Sequence, residues 1–69
     1  MQVTQEQTKK LLEGNQNFTQ LGFSMMLTRL KKLYAGDPSK LQSCTTEINA
    51  FLSKFKVIMG DDYATISKL

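Results

Sequence analysis

The 69-residue chain has no histidine, no tryptophan, one cysteine and one proline, and each shortage closes off a class of structure or chemistry. Without histidine, the side chain best suited to proton transfer near neutral pH is missing. Cys44 then has no histidine base, and its place on an apolar stripe predicts a buried, inert thiol. A single cysteine cannot form an intramolecular disulfide, and with no histidine beside it a zinc site lacks its usual ligands. The four glycines are scattered singly, so no phosphate-binding glycine loop exists. The paired acids Asp61-Asp62 supply too few oxygen ligands for a divalent ion and suit a helix cap instead. No catalytic residue, metal or cofactor is therefore expected.

Long hydrophobic runs are absent too. Met25-Met26-Leu27 and Val57-Ile58-Met59 are far too short to cross a bilayer. The opening Met1-Gln2-Val3-Thr4-Gln5-Glu6 has neither the basic start nor the apolar core of a signal peptide. A lone thiol on an apolar stripe suits a reducing compartment, so a cytoplasmic location is expected.

What is present is an ordinary hydrophobic content of 41%, enough to argue against disorder. A domain of this size buries only about 60% of the surface its unfolded chain exposes. With disulfides and metals excluded, oligomerisation is the remaining aid to stability.

The apolar residues are arranged in two seams on either side of Asp37-Pro38. Phe23, Met26, Leu30 and Leu33 precede it, and Leu41, Cys44, Ile48, Phe51, Phe55 and Ile58 follow, at spacings of three and four that define one stripe of a helix. The pattern predicts one helix over Asn17–Tyr34 and a second over Pro38–Met59. Gly36 is placed to close the first in the left-handed conformation, with Asp37 as N-cap and Pro38 at the first helical position of the second. Thr4 and Gln7 form a capping box for a polar first segment through Glu13. Gly14-Asn15 either ends that segment as a separate helix or only weakens a continuous one. Asp61 or Asp62 can cap a last turn through Tyr63, Ile66 and Leu69. The fold class is all-α: one helical domain over 1–69, an antiparallel hairpin with short N-terminal and C-terminal helices. It closes either as a three-helix bundle or, with a second copy, as a dimeric four-helix bundle. A proline-containing helical hairpin resembles, in outline only, type III secretion needle subunits and the small secreted WXG proteins. With no tryptophan there is no Trp-x-Gly turn, and the sequence assigns no family.

The helix over Asn17–Tyr34 carries more apolar circumference than one neighbour covers. Behind its main seam lies a second face, Phe18, Leu21 and Met25, which either the first segment covers through Leu11 and Leu12 or a partner does. These three are the candidate partner-binding residues. Paired helices that bury their apolar faces in each other leave little to bind a membrane, and neither a membrane nor a small-molecule substrate is expected. The functional expectation is a small non-enzymatic helical protein–protein interaction module that self-associates, as a homodimer or with another protein. The alternative is a small nucleic-acid-binding regulator. The formal charge is +3, and Arg29, Lys31, Lys32 and Lys40 are candidate phosphate contacts, although a solvated basic face accounts for them as well.

Overall fold

Thr4 starts the first helix by the predicted device. Its hydroxyl accepts from the Gln7 N–H at 3.1 Å, and the Gln7 side chain accepts from the Thr4 N–H at 2.9 Å, so two otherwise orphan donors are satisfied reciprocally. The structure, a computed structural model, describes residues 1–69. It is all-helical: α1 (Gln5–Glu13), α2 (Leu21–Gly36), a 3₁₀ turn (Pro38–Lys40), α3 (Leu41–Lys54), α4 (Lys56–Met59) and α5 (Asp62–Ser67). The helices pack on one another as a small bundle, with α1 docked on the α2–α3 hairpin.

The hairpin is antiparallel. Arg29 on α2 is ion-paired with Glu47 on α3, and Gly22 near the start of α2 lies over the ring of Phe51 near the end of α3. The first segment is a separate helix, and it too runs antiparallel to α3. The Val3 N–H donates to Asn49 Oδ1 at 2.7 Å while Asn49 Nδ2 donates to the Val3 carbonyl at 3.1 Å. One turn further on, the Thr45 hydroxyl donates to Thr8 Oγ1 at 2.8 Å. Thr8 is fully buried, and its hydroxyl in turn donates to the Thr4 carbonyl, so a polar side chain at a core position is satisfied.

Because α1 and α2 both oppose α3, the chain between them must travel back along the bundle. Residues 14–20 do so as a non-helical strap. At one end the Tyr34 hydroxyl donates to Glu13 and Lys31 Nζ donates to the Gly14 carbonyl; at the other end Thr19 and Gln20 meet Asp62 of α5. From Tyr34 back to Leu21 is about 20 Å of helix, a span that residues 14–20 can cover only if nearly extended. The expected start of α2 at Asn17 is therefore moved to Leu21, with Gln20 as the cap whose side chain accepts from the Phe23 N–H.

The second long helix also departs from expectation. Its first turn is 3₁₀, with Asp37 Oδ1 accepting from the Ser39 N–H at 3.2 Å and Pro38 at the first position. It then breaks at Phe55 (φ −119°, ψ 26°) instead of continuing to Met59. At the break the Tyr63 hydroxyl donates to the Leu52 carbonyl at 2.7 Å, the carbonyl that an unbroken helix would pair with the Lys56 N–H. Past the break the stripe rotates. Met59 enters the core and Ile58, expected on the seam, stays exposed. Leu33 is likewise more exposed than its seam position predicts. Gly36 ends α2 without a positive φ; the one residue that has a positive φ is Gly60 (φ 47°), in the turn between α4 and α5.

The core joins all of these elements. Leu11 and Leu12 of α1, Phe23, Leu27 and Leu30 of α2, Cys44, Ile48 and Leu52 of α3, Met59 and Ile66 are buried together with Val3. Asp62 is the one charged residue among the buried set.

Candidate functional site

Helical periodicity from the Gln20 cap turns Phe23, Leu27 and Leu30 inward, which leaves Leu21, Gly22 and Met25 on the outside. Leu21 is 70% exposed and Met25 64% exposed. The first segment does deliver Leu11 and Leu12 to the core, yet this pair remains uncovered. Phe18 separates from them. It lies on the strap and not on a helix, so its ring packs edge-on against Phe23 at 5.1 Å and 84° and is half-buried.

Phe51 of α3 lies beside Gly22, the residue that follows Leu21. A Cβ on Gly22 would stand 3.1 Å from Gln20 Oε1 and 3.5 Å from Phe51 Cζ, and Phe51 is half-buried. The rings of Phe18, Phe23, Phe51 and Phe55 form a row with centroid spacings of 5.1, 5.4 and 4.7 Å. At its outer end Lys54 Nζ sits 5.4 Å from the Phe55 centroid, a cation–π arrangement. The row thus joins the strap, α2 and α3 through the buried ring of Phe23.

The candidate phosphate contacts do not all share one face. Arg29 points toward α3, where it pairs with Glu47. Lys31 points the other way, toward Gly14 of the strap, at 3.2 Å from its carbonyl. Two positions apart on a helix is about 200° of rotation, so these two cations cannot approach one phosphate together. Lys32 is exposed on the outer side of α2, and Lys40 closes the 3₁₀ turn.

A single open concavity of about 470 Å³ runs along the outer face of α3, lined by Ser39, Gln42, Ser43, Thr46, Glu47 and Ala50. Nowhere do three acidic or cysteine side chains converge as a metal would require. Cys44 is fully buried; burial pushes its thiol up from the ordinary value, and the charge of Glu47 adds to the effect. No helix is long and apolar enough to cross a membrane. Comparison with protein-family models, with curated proteins and with solved structures returns no match.

Two features of this end of the molecule escape a reading of the sequence. Val57 and Ile58 on α4 are 88% and 55% exposed, because the break at Phe55 turns them out; only the tertiary bond from Tyr63 marks that position. Asp62 caps no turn of its own helix. Its carboxylate accepts from the Thr19 N–H at 3.0 Å, the Thr19 hydroxyl at 3.1 Å and the Gln20 N–H at 2.9 Å. Burial pushes this carboxyl up, but the bonds from Thr19 and Gln20 outweigh it and hold the group below its ordinary value. By fixing the strap, Asp62 sets where α2 begins, and so which residues form its outer face.

Proposed function

We propose that this chain is a small, non-enzymatic helical protein–protein interaction module that self-associates, with Leu21 and Met25 in its binding face. The observation that carries the proposal is a mismatch. The core closes within a single chain, yet Leu21 and Met25 are left 70% and 64% exposed on a well-capped helix. The fold does not need them apolar. Covering such side chains against a partner is worth on the order of 1.5–3 kcal/mol each. The polar, open character of the α3 concavity and the buried thiol of Cys44 support a binding role over catalysis. A cytoplasmic setting goes with a free thiol. Nucleic-acid binding draws less support, since the charge of Arg29 is matched by Glu47 and Lys31 is directed at the strap.

Sedimentation velocity from about 10 μM to about 1 mM tests the proposal, a range set by the weak affinity expected of so small a contact. The wild type should shift progressively from monomer toward dimer. Leu21→Ser with Met25→Ser should remain monomeric at the same melting temperature. A wild type that is monomeric throughout would overturn self-association.

A further inference from the structure

The two backbone N–H groups that fasten the strap have a second acceptor in their own sequence. Thr19 and Gln20 donate to the buried Asp62 carboxylate at 3.0 and 2.9 Å. An N-cap side chain accepts from the N–H groups two and three positions after it. Counted from Asn17, those groups belong to Thr19 and Gln20, the same pair. Gln20 also stands where a glutamine reaches back to the N–H of the cap residue, as Gln7 does to Thr4. Between Asn17 and Leu21 there is neither glycine nor proline to oppose a helix. The Phe23 N–H, now capped by the Gln20 side chain, would pair in a longer helix with the Thr19 carbonyl. If α2 grew back to begin at Phe18, leaving Asp62 would orphan none of these donors.

The docked position of α1 forbids that growth. Glu13 is bonded to Tyr34 and the Gly14 carbonyl to Lys31, so the strap starts beside the far end of α2. Moving the start of α2 from Leu21 to Phe18 lengthens the span from Tyr34 from about 20 Å to about 24 Å. It also leaves only residues 14–17 to cross it, with a reach of about 14 Å at most. To close the difference α1 must slide along α3 or leave it. Either move breaks the bonds that set its register, Val3 with Asn49 and Thr8 with Thr45.

We propose that residues 14–20 are a two-position strap: held by Asp62 they are extended and α1 docks, and released from Asp62 their last residues join α2 under an Asn17 cap while α1 leaves its seat on α3. The docked position predominates, because it buries Val3, Leu11 and Leu12 and packs Phe18 edge-on against Phe23. In the other position Phe18 falls on the stripe that Leu21 and Met25 already expose, three and seven places before them. The switch is a property of the single chain and does not depend on self-association.

Cα chemical shifts and amide hydrogen exchange of the full chain test it, with and without about eight glycine and serine residues inserted after Asn15, enough to cover the missing span. In the wild type, in Asp62→Ala and in the chain carrying only the insertion, Phe18 to Gln20 should keep non-helical shifts. With both changes together they should become helical, and adding Asn17→Ala should reduce that helicity. In Asp62→Ala the insertion should also slow exchange of the Leu11 and Leu12 amides at least about threefold, because α1 no longer competes with helix growth; lengthening an uncoupled loop has the opposite sign. Non-helical shifts in the doubly changed chain would overturn the Asn17 cap. Helical shifts in Asp62→Ala without the insertion, with the Val3–Asn49 contact kept, would overturn the length limit. Exchange of Leu11 and Leu12 that is unchanged or faster would overturn the coupling. Asp62→Asn, which keeps one acceptor oxygen, carries the same comparison where Asp62→Ala does not fold.

Discussion

Asp62 fastens the strap to α5 from across 42 to 43 positions of sequence, and its removal can be worked through quantitatively. In Asp62→Ala three accepted hydrogen bonds vanish, two of them from backbone N–H groups. A hydrogen bond to a charged group contributes about 1.5–3 kcal/mol. Thr19 is exposed, so water recovers part of that loss, and a net cost of about 2–3 kcal/mol is expected. A chain of this length has roughly 3–10 kcal/mol of stability in all, and at about 4–8 °C per kcal/mol the melting temperature should fall by about 10–20 °C. Asp62→Asn keeps one acceptor oxygen but turns an amide NH₂ toward the other donor, so it should recover no more than about half of the loss. The pH dependence has a definite sign. The bonds from Thr19 and Gln20 hold the folded carboxyl below its ordinary value against the opposing push of burial. Its contribution is therefore complete above the unfolded carboxylate range, about pH 4, and is lost as pH falls through the lower folded value. Thermal melts by circular dichroism from about pH 7 down to about pH 2 would show the wild type approaching the variant at the acid end. Exposed Asp61→Asn serves as the control. An Asp62→Ala chain that melts within about 3 °C of wild type at neutral pH would refute the reasoning.

Leu30 and Ile48 belong to the same core with no exposed surface, and Leu30→Ala or Ile48→Ala should each cost about 2–5 kcal/mol in urea denaturation. Unchanged midpoints would contradict their place in the core. Cys44 is buried and its thiol is pushed up by desolvation, so it should resist a thiol-reactive disulfide reagent under native conditions and react fully once urea unfolds the chain. Immediate stoichiometric labelling of the native protein would count against the packing described.

Where structure is decided locally, the sequence was legible. Thr4 and Gln7 announce a capping box and make one. Asp37-Pro38 announces a helix start, and the carboxylate caps it as expected. Leu30, Cys44 and Ile48 sit at the centre of their stripes and are buried. The misreadings occur where a distant group overrides local preference. The periodicity starts a helix at Asn17, but the Thr19 and Gln20 N–H groups donate to Asp62, and the helix begins at Leu21. Phe55 fits an uninterrupted seam, but the Tyr63 hydroxyl takes the Leu52 carbonyl and the helix breaks. The candidate face shows the same division. Leu21 and Met25 stand one turn apart on the exposed side of a helix, and their outward placement follows from periodicity alone. Phe18 leaves them because its segment is not helical, while Val57 and Ile58 are exposed only because of the break at Phe55.

The strap also bears on the order in which the molecule assembles. The hairpin is closed by a contact such as Arg29–Glu47, 18 positions apart, whereas Val3–Asn49 spans 46. Loop-closure entropy makes the longer separation only about 0.8 kcal/mol harder to close, so chain length alone does not rank the two events. What ranks them is that α1 packs on both α2 and α3, so its full docking surface exists only once those two have met. The carboxylate that fixes the strap likewise lies on a six-residue helix, α5, too short to hold its shape alone. Folding should accordingly run from the middle of the chain outward, with the two ends locking last and only after the aromatic row between α2 and α3 has formed.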